Sequence, residues 1–174
     1  MPAIPEDSVL VIDVPGSKPA GGLIAAALEA KAPPSAVPPP AIGIVTMTKN
    51  PIAFGTWLAY HHDHCGVCKF YVRVEDTPDL MTLLNTAPWD DLVEVDYASG
   101  RRDYFVQMDR QNAHIERVLP RARAAGLDYL LHIDDDELLY CPRGLAALHA
   151  ALAKAPLGKA DLHLSNLEAR VPHA

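Results

Sequence analysis

Four consecutive carboxylates, residues 134–137 (Asp-Asp-Asp-Glu), give the strongest chemical signal, because they directly follow the apolar run 129–133. Two unit charges about 6 Å apart repel by roughly 3 kcal/mol at an effective dielectric near 20, so such a cluster needs a compensating charge. A divalent cation would supply it, and oxygen ligands favour Mg²⁺ or Mn²⁺. Side chains alternate along an extended chain, so we expect Asp134 and Asp136 to face one way and Asp135 the other.

A structural role is the alternative for the same segment. An acidic turn can be solvated and can cap the element that follows it, and Asp135 and Glu137 can satisfy backbone donors or pair with arginines. Candidate partners are Arg101, Arg102, Arg110 and Arg143. The position directly after an apolar strand favours the binding role for Asp134 and Asp136.

The elements that must position this cluster alternate between two hydrophobic periods from residue 41 onward. Strands are predicted over residues 41–47, 70–74, 92–97 and 129–133, with 160–169 a candidate fifth. Helices are predicted from 54, from 78 with Thr77 as the cap and continuing through Leu84, over about 104–125 and from 144. This order indicates an α/β fold with a three-layer, mostly parallel sheet and helices on both faces. The half-polar strand 92–97 is expected near an edge, and Pro120 predicts a kink at 116–120 or two helical segments.

Ligands of such sheets bind beyond the carboxyl ends of the strands. Polar side chains follow three of the predicted strands, within residues 46–50, 75–77 and 134–137. We therefore expect the strands that end at Thr46, Glu75 and Asp134 to neighbour one another.

The first 40 residues contain nine of the 16 prolines and end in a proline-rich run that suits neither helix nor sheet interior. Residues 1–40 are therefore interpreted as a tail or semi-rigid linker, and 41–174 as the folded domain. The alternative is that the strand-like residues 8–12 join the main sheet.

The overall charge excludes one class of partner. Fifteen Lys and Arg against 22 Asp and Glu give a net charge of −7, the wrong sign for binding nucleic acid through its phosphates. No apolar stretch reaches the roughly 18 residues of a membrane-spanning helix, and the N-terminus lacks the basic residues of a signal peptide. The sequence thus predicts a soluble chain and leaves its compartment open.

The order of these segments resembles the family 2-like and family 92-like glycosyltransferases, which share the nucleotide-diphospho-sugar transferase fold called GT-A. The resemblance covers about residues 41–172 and rests on an Asp-x-Asp-Glu motif after an apolar strand. The matching segments are Thr46 with Lys49 and Asn50, residues 57–61 (Trp-Leu-Ala-Tyr-His), 70–76, 110–112 and 132–138.

The resemblance implies transfer of a sugar from a nucleotide-diphosphate donor to a glycan, protein or lipid acceptor. It implies that Asp136 holds Mn²⁺ or Mg²⁺ and that Asp134 contacts the ribose or shares the metal. Thr46 and Glu75 would lie near the nucleoside, and Arg110 would reach the nucleotide. A metal at the diphosphate would stabilise the charge that develops as this group departs.

Members of this family continue past the point that corresponds to residue 174, into segments that build the acceptor site and often supply the catalytic base. No base is therefore assigned, and the chain is expected to be an N-terminal fragment or a protein that binds without turnover. We expect weak binding of a nucleotide sugar and slow or no transfer. Pro51 stands where relatives often carry an acidic residue, which weakens the first loop as a predicted contact.

Two rival functions fit parts of the sequence. A zinc module could use residues 61–68, where Cys65 and Cys68 have zinc-like spacing, but a second ligand pair is missing and His61 is expected to pack in the core. With Cys141 these cysteines form an odd set, so no disulfide framework is expected. A nucleotidyltransferase would carry a glycine-rich basic loop after its first strand, whereas residues 46–51 contain one lysine and no glycine.

Overall fold

The computed structural model describes residues 9–11, 38–99, 104–141, 143–152 and 165–167. Its strands are β1 (Val9–Val11), β2 (Ile42–Thr48), β3 (Val67–Glu75), β4 (Val93–Ala98), β5 (Tyr129–His132), β6 (Leu138–Tyr140) and β7 (Ser165–Leu167). Its helices are α1 (Phe54–Asp63), α2 (Leu80–Leu84), α3 (Trp89–Leu92), α4 (Tyr104–Ala124) and α5 (Gly144–Leu152).

The main sheet has four strands in the order β4-β3-β2-β5, and every pairing in it is parallel. This confirms the predicted α/β fold and the edge position of β4. The central strand β2 is buried at each of its residues, as its continuous apolar run predicts. Because β3 and β5 both pair with β2, the carboxyl ends of these three strands meet at one edge, as expected.

Alternating residues of the central strands send side chains to two separate cores, which accounts for the layers. Ile44 and Val72 belong to a core that includes Phe54 and Leu58 of α1. Val45 and Tyr71, which are their chain neighbours, pack in a second core with Val118 and Ala122 of α4. Helices therefore cover both faces of the sheet, and the three-layer prediction is confirmed.

Helix α4 is a single helix with Pro120 inside it, so the expectation of two helical segments is wrong. An interior proline removes one backbone hydrogen bond and costs about 3 kcal/mol in an isolated helix. Val118 and Ala122 flank Pro120 in sequence and are both buried against the sheet. Burial of this apolar face holds the helix together across the proline.

A second, three-stranded sheet has the order β6-β1-β7. Strand β1 pairs in parallel with β6 and antiparallel with β7, so residues 9–11, and residues 165–167 of the candidate fifth strand, lie in this sheet and not in the main one. Of the tail or linker predicted over residues 1–40, residues 1–8 and 12–37 lie outside the described residues. Within the described segments, no helix combines the length and the apolar character needed to cross a bilayer.

His61 is buried in the core, as its place on the apolar face of α1 predicts. Its Nδ1–H donates to the carbonyl oxygen of Trp57 at 2.9 Å, and its Nε2 accepts the backbone N–H of Leu139 at 3.2 Å. A backbone N–H can only donate, so Nε2 is unprotonated and the ring is neutral. Burial lowers the pKa of His61 to about 4, although the bond to the Trp57 carbonyl opposes this shift.

The lowered pKa of His61 predicts a loss of stability in acid. A histidine whose pKa is lower in the folded than in the unfolded chain stabilises the fold above about pH 6.5, and this stability is lost as the pH falls towards 4. The full loss is about 3 kcal/mol. Urea unfolding as a function of pH should show this slope, and His61→Gln should flatten it. Burial also lowers the pKa of His114, which leaves a residual slope.

The control for this measurement is His64→Gln, since His64 is exposed. It should reproduce the pH dependence of the parent chain. A His61→Gln variant with an unchanged slope between pH 6.5 and 4 would show that the ring is not held neutral by the fold.

Candidate functional site

The loops that follow β2 and β3 are tied together at the carboxyl edge of the main sheet. Lys49 Nζ lies 2.6 Å from Asp76 Oδ2, and the backbone N–H of Asn50 donates to the Thr77 hydroxyl at 2.8 Å. The Thr77 hydroxyl in turn donates to the carbonyl oxygen of Glu75 at 2.8 Å. These bonds fix two of the three polar strand ends relative to each other.

Both loops contain strained backbone. Asn50, Ala53 and Asp76 have φ values of 50°, 53° and 48°, and among the described residues they are the non-glycine residues with positive φ. The left-handed region costs an L-residue roughly 1–2 kcal/mol, and Ala53 has no polar side chain to offset this cost. Such strain concentrates at functional sites, where the surrounding structure enforces it. The strained residues thus support a functional site at this edge of the sheet.

The acidic residues 134–137 form a turn, which we call the acidic turn. The backbone N–H of Glu137 donates to the carbonyl of Asp134 at 3.2 Å, and the N–H of Asp134 donates to the Glu137 carboxylate at 3.0 Å. The expectation that Glu137 satisfies a backbone donor is therefore confirmed. The strand ends at His132, so the expected side-chain alternation does not extend through Asp136.

Three side chains from three different elements hold the acidic turn. The Thr48 hydroxyl at the end of β2 donates to the Asp135 carboxylate. Gln111 Nε2 on α4 donates to Asp134 Oδ1 at 3.0 Å, and Trp57 Nε1 on α1 donates to the carbonyl oxygen of Glu137 at 2.7 Å. These contacts fix the residues on both sides of Asp136, whose own side chain is exposed.

The turn concentrates negative charge in a partly buried place. Burial raises the pKa of Asp135, and the neighbouring carboxylates of Asp136 and Asp134 raise it further, against the bond from Thr48. Burial likewise raises the pKa of Glu137. A raised pKa means that the folded chain disfavours the ionised form of these carboxylates. The positive charge of a bound cation would favour the ionised form.

Glu75 ends β3 with its side chain on the α4 face of the sheet. It is 1% exposed and accepts hydrogen bonds from Arg110 Nε at 2.7 Å, Arg110 Nη2 at 2.9 Å and Arg73 Nε at 2.9 Å. Burial alone would raise the pKa of Glu75, but the two guanidinium groups outweigh it and hold the pKa below its usual value. Glu75 is therefore an ionised group that joins β3 to α4.

A curated protein of Arabidopsis thaliana with the name glycosyltransferase-like is 28% identical over 76% of this chain and 34% of its own length. The chain is similar to a glycosyltransferase-like protein. It spans about a third of the length of that relative. No family model matches the sequence, and no solved structure matches it. The glycosyltransferase-like resemblance seen in the order of segments is supported at this general level.

The structure brings four of the five predicted site residues to one region. Adjacent residues of α4 contact two of the strand ends, since Arg110 bonds to Glu75 and Gln111 bonds to Asp134. Asp136 follows Asp134 in the same turn. The fifth residue, Thr46, is buried, and its hydroxyl has no hydrogen-bond partner among the residues that the structure describes.

Sequence reasoning missed Thr48, Gln111 and Trp57 as contacts of the acidic turn. Strand β2 runs one residue further than predicted and ends at Thr48, two positions beyond Thr46 on the same face. Gln111 follows Arg110 directly in the sequence, so the role predicted for Arg110 could have indicated that Gln111 also lies at the site. Nothing in the local sequence around Trp57 signals a contact with a residue 80 positions away.

Within the described part of the chain, no group of three or more His, Cys, Asp and Glu residues is arranged to hold a metal ion. The two cysteines of the zinc alternative bond to different carbonyls: buried Cys65 donates to Leu139 at 3.4 Å, and exposed Cys68 donates to Ile42 at 3.3 Å. A metal bound by Asp134 and Asp136 at the acidic turn therefore stays a prediction.

Proposed function

We propose that this chain binds a nucleoside-diphosphate sugar together with a divalent metal at the carboxyl edge of its parallel sheet. It would serve transfer of the sugar to a glycan, protein or lipid acceptor. The observation that carries the proposal is the acidic turn, held from β2, α1 and α4 with Asp136 exposed between the fixed residues. The similarity to a glycosyltransferase-like protein supports the same general role.

The donor set fits Mg²⁺ or Mn²⁺. Asp136 and Asp134 offer only carboxylate oxygens, which these cations prefer, and a cation held by two carboxylates fills its remaining positions with water and substrate phosphates. When bound, such a metal supplies electrostatic stabilisation to the departing diphosphate. Gln111 would orient Asp134 for this role, because its amide already fixes one oxygen of that carboxylate.

The nucleoside end of the site would lie towards β3. Arg110, held by both oxygens of Glu75, would present positive charge to the nucleotide, and Glu75 would act by orienting it. Thr46 and the Glu75 backbone would lie near the nucleoside. The tied loops with Lys49 and Asp76 border the same edge and would keep its shape before a ligand arrives.

Isothermal titration calorimetry of the chain with UDP, GDP and their sugars tests this function. We expect one nucleoside diphosphate to bind with 1:1 stoichiometry in Mn²⁺ and at least tenfold more weakly after the metal is removed with EDTA. A nucleotide that binds equally well with and without the metal would contradict the proposal. The corresponding nucleoside monophosphate is the matched control, since it lacks the second phosphate.

A further inference from the structure

Helix α1 and the turn after it contact the chain beside the acidic turn through side-chain to backbone hydrogen bonds. The Trp57 indole N–H donates to the Glu137 carbonyl at 2.7 Å. The Tyr60 hydroxyl and the Cys65 thiol donate to the Leu139 carbonyl at 3.0 and 3.4 Å. The Leu139 N–H donates to His61 Nε2 at 3.2 Å. Both backbone groups of Leu139 are therefore bonded to side chains.

The spacing of these residues explains the arrangement. Positions 57, 60, 61 and 65 recur at helical spacing, so one face of α1 and its following turn contact the same short segment. Strand β6 is an edge strand of the second sheet, and an edge strand presents unpaired backbone groups. Side chains of α1 take the place that a further strand would occupy at Leu139.

The donor of Trp57 is fixed by the core. The indole is 5% exposed, and its ring centroid lies 5.2 Å from that of Phe54 and 4.3 Å from that of His61. His61 is itself fixed because its Nδ1–H donates to the Trp57 carbonyl. The position of the Glu137 carbonyl is thus set by the packing of α1 against the sheet.

We propose that Trp57 is the positioning residue of the acidic turn, with Tyr60 and His61 securing the strand that follows it. The proposal rests on the proposed function in one respect, namely that the turn binds metal and diphosphate. Asp136 lies between Asp135, held by Thr48, and Glu137, held by Trp57. A turn that is already ordered loses less conformational entropy when a ligand binds. The hydrogen bond from Trp57 to Glu137 would therefore raise the affinity although Trp57 does not contact the ligand.

The test combines one readout without ligand and one with ligand, on Trp57→Phe and on Trp89→Phe as the matched control. Trp89 is also buried, and its ring packs edge-on against those of Phe70 and His62. The first readout is the amide hydrogen exchange rate of Glu137 divided by that of Val72 in the centre of β3. A general loss of stability accelerates both amides, whereas loss of positioning raises the ratio.

We expect Trp57→Phe to raise this ratio at least tenfold and to weaken Mn²⁺-dependent UDP binding about fivefold, the effect of one hydrogen bond. Tyr60→Phe removes only a hydroxyl and should give a smaller change in the same direction. Benzothienylalanine at position 57 keeps the ring size but lacks the N–H, and it decides the question if the phenylalanine variant does not fold.

The outcomes separate the two proposals. An unchanged exchange ratio in Trp57→Phe and in the benzothienylalanine variant overturns the positioning role, whatever the parent chain binds. A raised ratio in a chain that binds no nucleotide retains the positioning role and overturns the proposed function. A raised ratio with UDP affinity equal to that of Trp89→Phe contradicts the claim that positioning serves binding.

Discussion

Replacing Asp136 with asparagine is expected to weaken nucleoside-diphosphate binding in Mn²⁺ by about 100-fold, which corresponds to about 2.8 kcal/mol. Asparagine preserves the size of the side chain and removes the charge that would hold the cation. Because Asp136 is exposed and its charge repels that of Asp135, the substitution should not lower the free energy of unfolding. Calorimetric titration with and without Mn²⁺, together with urea unfolding, measures both quantities.

The matched control for Asp136→Asn is Asp63→Asn. Asp63 is also exposed, but it ends α1 just before β3 begins and so belongs to the opposite edge of the sheet. It should change neither the affinity nor its dependence on metal. Equal affinities of the parent chain and Asp136→Asn in Mn²⁺ would remove Asp136 from the metal site.

The largest effect on stability is expected for Glu75→Ala. The side chains of Arg73 and Arg110 are only 12% and 14% exposed, and the substitution takes away the buried carboxylate that both of them contact. Breaking a buried ion pair by removing one partner costs about 3–5 kcal/mol, since the remaining charge stays in a poorly solvated place. Urea unfolding at neutral pH should show a loss of this size.

Glu94→Ala provides the comparison for Glu75→Ala. Glu94 also pairs with an arginine of α4, Arg121, but the Glu94 side chain is 43% exposed. Exposed pairs contribute about 0.2–1 kcal/mol, so Glu94→Ala should cost much less. Equal losses for the two variants would show that burial of Glu75 does not determine the strength of its contacts.

The architecture was predictable because hydrophobic periodicity is a local property. The continuous apolar run of β2 indicated a strand buried on both faces, and the half-polar residues 92–97 indicated an edge strand. Parallel strands with helical crossovers place their carboxyl ends together, which brought the strands ending at Thr48, Glu75 and His132 to one edge. Of the two alternatives expected at Pro120, the division into two helical segments was wrong, because burial of one face of α4 outweighs the local cost of proline.

The detailed contacts of the site depend on tertiary structure and were only partly predictable. The acidic residues were found from their type and position, but their turn is held by Thr48, Trp57 and Gln111, which are 87, 80 and 23 residues from their partners. No local pattern carries such pairings. Glu75 is different, since Arg73 lies two residues away on the same strand face and could have indicated an ion pair.

The central claim is that the acidic turn holds a metal that joins the chain to a nucleoside diphosphate. The most direct test is anomalous diffraction at the manganese edge from crystals of the chain grown with UDP and MnCl₂. We predict one anomalous peak within about 2.5 Å of the Asp136 carboxylate, with the diphosphate on its other side. A diphosphate bound elsewhere, or a manganese peak at other residues with none at Asp136, would contradict the account.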